Sequence, residues 1–201
     1  MARLDGTQGY ANEAENLLRL YESVSLADVH GGALDFVPRA PCRILDIGSG
    51  TGRDAAAFAR LGHHVVAVEP VDELRQGAKA AHPSPRIEWV DDGLPELAVV
   101  LGRGESFDVV LLTGVWFHLD EAQRRQAMPR VASLVKDGGV MLLSLRYGPV
   151  PPGRRMFDVT ADETIGLAAA EGLQVMLNQQ APAAIQRPEP VTWTRLVFRK
   201  T

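Results

Sequence analysis

Two carboxylates and a run of glycines carry the first readable chemistry. Ile44-Leu45-Asp46-Ile47-Gly48-Ser49-Gly50-Thr51-Gly52 is an apolar stretch holding an acid, followed by three alternating glycines. The apolar part reads as a buried strand that breaks into a tight turn, because glycine lets the backbone bend sharply and approach a ligand closely. Arg53 to Leu61, with Ala55, Ala56, Ala57 and Ala59, reads as the helix that follows, and its first N–H groups have no partner within the helix. One βα unit further on, Val65-Val66-Ala67-Val68-Glu69 ends a second strand in another acid. A carboxylate at that point can accept hydrogen bonds from a ribose diol. A ligand of adenosine type is the expectation. The plainer alternative is an ordinary strand-to-helix turn whose glycines serve packing.

The dinucleotide fingerprint needs glycine at its first, third and sixth positions, and counting from Gly48 the sixth is Arg53. A pyrophosphate also favours a helix N-terminus without a carboxylate beside it, whereas Asp46 stands next to this turn. The spacing present, Asp-x-Gly-x-Gly-x-Gly over 46–52, resembles the first motif of the class I S-adenosylmethionine-dependent methyltransferases. The resemblance runs from Cys42 to Lys200 and is most specific at this motif and at Glu69. It implies S-adenosylmethionine as cofactor, whose sulfonium and ammonium suit an acid such as Asp46. It implies that Asp46 with Gly48, Ser49, Gly50, Thr51 and Gly52 holds the methionine end, and that Glu69, followed by Pro70, holds the ribose. In Trp89-Val90-Asp91-Asp92-Gly93-Leu94-Pro95 it implies an acid that meets the adenine amino group. Asp92 is favoured over Asp91, because Trp89 and Asp91 share a face that packing can claim; Gly93 follows. The competing reading makes these acids caps of the next helix.

The fourth strand ends Leu112-Thr113-Gly114-Val115-Trp116-Phe117-His118-Leu119, similar to a motif of small-molecule members that often carries a histidine here. By that resemblance Thr113 and Gly114 line the methionine portion, and Trp116 faces the acceptor side. His118 is the candidate general base for an O–H or N–H acceptor, since imidazole titrates near neutrality; a histidine packed under the next helix is the alternative. The Asn/Asp-Pro-Pro-aromatic tetrapeptide of amino methyltransferases acting on DNA bases and protein glutamines is missing. Past the fifth strand, Arg146, Tyr147 and Arg155 flank a proline-rich loop, where guanidinium groups can grip a carboxylate or phosphate of the acceptor; a solvated loop with surface arginines is the alternative. By the same resemblance Tyr10 and Tyr21 lie on a helix that folds over the cofactor, with Tyr10 towards the acceptor; plain core packing is the alternative. Asp28-Val29-His30 offers two ligand-capable side chains with no third, so no metal is expected. His63-His64 precedes the second strand and reads as a surface turn. No Gly-x-Ser-x-Gly, Walker loop, Cys-x-x-Cys or His-Glu-x-x-His occurs.

These residues need a scaffold of alternating elements. Strands are predicted over 43–48, 64–69, 86–90, 107–113 and 139–145. Helices are predicted over 10–21, 26–37 (interrupted by Gly31-Gly32), 53–61, 71–80, 94–101, 120–135 and 161–171. Alternation of this kind implies a doubly wound, mostly parallel sheet with helices on both faces. Residues 173–177 and 192–199 read as closing strands joined through Pro182, Pro188 and Pro190 without a helix, hence antiparallel. The family resemblance supplies the α/β strand order 3-2-1-4-5-7-6 over seven strands. It divides a single domain, 1–201, into a helical cap over 1–40, a cofactor core over 41–145, and an acceptor-side loop with closing strands over 146–201.

With 201 residues and 46% hydrophobic content the chain can bury a full core, and its net charge of −4 disfavours DNA or an anionic membrane as partner. The single cysteine, Cys42, cannot form an internal disulfide and suits a structural role in a reducing compartment, and the start of the chain lacks a signal peptide's apolar centre. A cytoplasmic enzyme is expected, with a small-molecule acceptor ahead of protein or tRNA and no indication of oligomeric state. The alternatives are a non-catalytic S-adenosylmethionine-binding protein and a nicotinamide-dependent oxidoreductase.

Overall fold

Four short strands rich in Val, Ile and Leu form the first half of the sheet: β1 (Arg43–Ile47), β2 (His64–Val68), β3 (Ile87–Val90) and β4 (Phe107–Leu112). β1, β2 and β4 are buried along nearly their whole length, as parallel strands covered on two faces must be. The computed structural model describes residues 6–185 and 190–201, so Met1 to Asp5 and Pro188 of the proline-rich connection lie outside the described residues. β5 (Val135–Tyr147), β6 (Leu173–Pro182) and β7 (Thr192–Lys200) complete a seven-stranded sheet of order β3-β2-β1-β4-β5-β7-β6. β1 to β5 run parallel, and β7 inserts antiparallel between β5 and β6. The expected fold class and strand order are those observed.

The helices cover both faces. α1 (Tyr10–Tyr21) and α2 (Leu26–His30) precede the sheet; α3 (Arg53–Arg60), α4 (Asp72–Ala81), α5 (Ala98–Leu101), α6 (Glu121–Leu134) and α7 (Ala161–Ala170) follow. Strand periodicity divides the core: Leu45 and Ile47 join a cluster with residues of α5, α6 and α7, whereas Ile44 joins one with α3. α1 lays Ala14 and Leu17 against Val71 and Leu74 at the start of α4, with Tyr10 and Tyr21 alongside.

Four boundaries differ from the sequence expectation. The 26–37 helix, expected to be interrupted at Gly31-Gly32, does break there, where Gly31 takes a left-handed φ of 51°, but the part beyond α2 is a 3-10 segment over Gly31–Phe36. The predicted 94–101 helix shrinks to α5. Leu94 precedes Pro95, which disfavours helical backbone at Leu94. Asp92 instead folds back, and Val99 and Val100 N–H donate to its Oδ2 at 2.9 and 3.0 Å. β5 starts at Val135 rather than 139; Phe107 pairs with Val135 and Val109 with Val140, so β5 bulges between them. β6 reaches Pro182, which an edge strand tolerates since no further strand needs its missing N–H.

Candidate active site

The carboxyl ends of β1, β2 and β4 open into a crevice of about 340 Å³, closed on one side by α1 and on another by the loop after β5. That volume lies at the lower end of ligand pockets. Glycines 48, 50 and 52 all take left-handed φ, at 71°, 55° and 78°. Their duties differ. A side chain on Gly48 would strike Val115, and one on Gly52 would strike Trp89, whereas one on Gly50 would point into open space.

Glu69 is 5% exposed at the end of β2. Its Oε2 accepts from Gly50 N–H at 2.8 Å and its Oε1 from Val71 N–H at 2.9 Å, so the carboxylate braces the glycine turn against the start of α4. Burial pushes its carboxyl up to about 7, against those two N–H donors and Arg75, which favour the charged form. Asp46 is buried too, and burial with the charges of Asp54 and Glu69 raises its carboxyl well above the usual range. Asp46 Oδ2 and Ser49 Oγ are buried polar atoms on the crevice wall without hydrogen-bond partners among the described residues. Buried groups of this kind call for a ligand that supplies donors.

Beneath the turn, Asp54 Oδ2 lies 2.7 Å from His30 Nε2, and Arg53 Nε donates to its Oδ1 at 2.7 Å. Burial would raise the Asp54 carboxyl, but His30 and Arg53 outweigh it and hold it below the usual range. The two ligand-capable side chains of Asp28-Val29-His30 are engaged apart from each other. Asp28 forms a capping box with Ser25, and His30 belongs to this buried pair. Among the described residues no cluster of three or more His, Cys, Asp or Glu side chains is placed to hold a metal. His63 departs from the surface turn expected of it: it is 2% exposed, with Nδ1 3.2 Å from Sγ of half-buried Cys42, while His64 is exposed.

At the other end, Tyr10 from α1 reaches His118 in the 3-10 turn Trp116–His118, with Oη 2.9 Å from Nε2. His118 Nδ1 lies 2.7 Å from the Arg155 carbonyl oxygen. Burial, together with the charges of Arg154 and Arg146, holds the imidazole below its ordinary value despite the Arg155 carbonyl, which acts the other way. The Arg154 guanidinium stacks on the Tyr10 ring at 3.7 Å from its centre, donates to Gln8 O and pairs with Glu13 at 2.8 Å. Phe117, Met156 and Trp193 give this end an apolar lining.

The structure thus brings Asp46, Gly48, Ser49, Gly50, Thr51, Glu69, Pro70, Gly93, Thr113, Gly114, His118, Tyr10 and Arg146 to one crevice. Six other expected residues lie outside the crevice lining. Gly52 is turned onto Trp89 and α4. Asp92 caps α5, with Gly93 N–H on its other oxygen at 2.9 Å, and Asp91 faces Arg75 at 3.3 Å on the surface. Trp116 is fully buried in the main core, because the 3-10 turn directs it under the sheet's end. Tyr147 packs against that same core, and Arg155 pairs with Asp120 at 3.1 Å and stacks on Phe157. In their place stand Arg53, Arg154, Met156 and Trp193, which the sequence reading missed. Of these, Arg154 alone carried a signal, as the neighbour of Arg155 in the proline-rich loop.

A Methyltransferase domain family model matches residues 44–139. The chain is 28% identical to glycine N-methyltransferase of Oryctolagus cuniculus over 74% of its own length and 60% of that protein's. It is 33% identical to an uncharacterised methyltransferase of Mycobacterium tuberculosis, over 53% of its own length and 41% of that protein's. It therefore spans only about two to three fifths of these curated relatives. The fold superposes with a TM-score of 0.64 on Burkholderia thailandensis 1,6-didemethyltoxoflavin-N1-methyltransferase, solved with 1,6-didemethyltoxoflavin and S-adenosylhomocysteine, at 22% identity over 96% of this chain and 79% of that one. Residues 44–139 thus match a methyltransferase domain, and the seven-stranded sheet has the fold of that solved methyltransferase.

Proposed function

We propose that this protein transfers a methyl group from S-adenosylmethionine to a small-molecule acceptor carrying an O–H or N–H group. The observation that carries the reading is the pair of unpartnered buried atoms, Asp46 Oδ2 and Ser49 Oγ, on the same wall as the buried carboxylate of Glu69. Those groups fit the cofactor. Asp46 and Ser49 would meet its amino-acid end, and Glu69, whose oxygens retain acceptor capacity beyond two N–H donors, would take the ribose hydroxyls. Gly93 and Leu94 border the crevice beyond β3 and would flank the adenine. When bound, the cofactor supplies an electrophilic methyl carbon on a sulfonium, and the protein's part is positioning and charge. His118 would act as general base at the far end.

The size of the crevice and its apolar far end support a small acceptor. So does the Burkholderia protein, whose bound 1,6-didemethyltoxoflavin is a small molecule. Among the described residues no helix is long and apolar enough to cross a membrane. The single Cys42 remains a thiol, in keeping with a cytoplasmic site. Calorimetry decides the first step: S-adenosylmethionine and S-adenosylhomocysteine should bind, and NADH should not. A panel of small hydroxyl and amino compounds, read by release of S-adenosylhomocysteine, then identifies the acceptor. Binding of NADH in place of both, or cofactor binding without turnover on any panel member, would reject the reading.

A further inference from the structure

His118 has both ring nitrogens engaged, and the partners settle which one is basic. The Arg155 carbonyl, 2.7 Å from Nδ1, can only accept, so Nδ1 carries the ring proton of the neutral imidazole. Nε2 then presents the lone pair, and the Tyr10 hydroxyl at 2.9 Å donates to it. Tyr10 and His118 both line the crevice, and with Nε2 taken up by the Tyr10 hydroxyl an acceptor there meets the basic nitrogen through that hydroxyl. Arg154 reinforces the arrangement. Its guanidinium lies over the Tyr10 ring at 3.7 Å, fixed by Glu13 and the Gln8 carbonyl, where it stabilises negative charge growing on the phenol.

We propose that Tyr10 is a catalytic proton relay, taking the acceptor's proton on its oxygen while handing its own to His118 Nε2. This deepens the methyl-transfer reading above and rests on it. The balance closes without a further reactant. The acceptor's O–H or N–H bond breaks, and its electron pair remains on the nucleophilic atom, which bonds to the methyl carbon. The sulfur–methyl bond breaks with its pair staying on sulfur. The positive charge lost by the sulfonium reappears on the His118 imidazolium. Acceptors are thereby restricted to those whose nucleophilic atom brings a proton; thioethers and carboxylates gain nothing from the relay.

Burial above all disfavours the ionised form of both groups, outweighing the Arg155 carbonyl at His118 and Arg154 at Tyr10. Arg154 and Arg146 face His118 and disfavour the imidazolium, while Tyr21, Glu69 and Glu13 face Tyr10 and, with burial, disfavour the phenolate.

The first arm of the test needs no acceptor. Nitrogen NMR of histidine-labelled protein loaded with S-adenosylhomocysteine should show His118 as the Nδ1–H tautomer at pH 7. Tyr10→Phe removes the donor to Nε2 and should raise the His118 titration midpoint by about half a pH unit or more. An Nε2–H tautomer, or a midpoint indifferent to Tyr10→Phe, overturns the relay. In the second arm, with an acceptor from the panel, Tyr10→Phe and His118→Gln should each lower kcat about 100-fold, and together no further than the worse single change. The KM for S-adenosylmethionine should stay within about threefold of wild type. A raised KM with kcat intact would make Tyr10 only part of the lid and would overturn the proposal. Failure of S-adenosylhomocysteine to bind condemns the methyl-transfer reading itself. Binding with an unresponsive His118 condemns the relay alone.

Discussion

Glu69 holds its carboxyl near 7 because it is buried, and ligand hydroxyls that donate to it would favour the ionised form. The sign of the resulting pH dependence follows. Above about 7 the carboxylate is ready to accept, whereas below it binding must first expel a proton, so affinity falls as pH falls through that value. Calorimetric titration with S-adenosylhomocysteine should show affinity nearly constant from pH 7.5 to 8.5 and dropping by up to about tenfold per pH unit below 6.5. Glu69→Gln should flatten that profile and weaken binding roughly tenfold to a hundredfold at pH 8, the loss expected for hydrogen bonds to a charged group. An affinity unchanged by pH and by the substitution would remove Glu69 from the site. At this scale, Asp46 and Glu69 were legible because each ends an apolar run at one βα spacing. Asp92 was not: a carboxylate before a proline-containing turn can cap a helix or face a ligand, and only the path of 94–98 decides between them.

The turn after β1 divides its glycines between two tasks, and substitutions should separate them. Gly52 faces Trp89, Ala78 and His82, so a methyl group there adds overlap to left-handed strain. Gly52→Ala should cost about 2–4 kcal/mol in denaturant unfolding. Gly50 has left-handed backbone but open space in the direction of a side chain. Gly50→Ala should cost only about 1–2 kcal/mol while weakening S-adenosylhomocysteine roughly tenfold or more, since the methyl group takes up crevice volume. Equal effects on stability would contradict this division. α1 shows the same dependence on packing. Its apolar stripe was visible as a helical period, but its seat on α4 and its link to the post-β5 loop through Arg154 were not, because amphipathicity states that a face is buried and not against what.

For the whole molecule, a ligand held between β1, β2, α1 and the post-β5 loop ties together segments far apart in the chain, and it binds the folded state alone. S-adenosylhomocysteine at a hundred times its Kd should therefore add about 2.7 kcal/mol and raise Tm by about 5–10 °C, with NADH leaving it unchanged. A Tm indifferent to S-adenosylhomocysteine would argue that the crevice does not hold it.

By itself the sequence determined the alternation of strands and helices, the glycine turn and the two acids at the strand ends. All of these are short-range properties: periodicity, propensity and spacing within one or two elements. Only the tertiary structure decided that Tyr10 meets His118, that Arg154 rather than Arg155 reaches the crevice, and that Trp193 takes the wall expected of Trp116. Those outcomes turn on how segments up to 146 residues apart pack. A shift of one residue in register or of a third of a helical turn would have sent each side chain elsewhere.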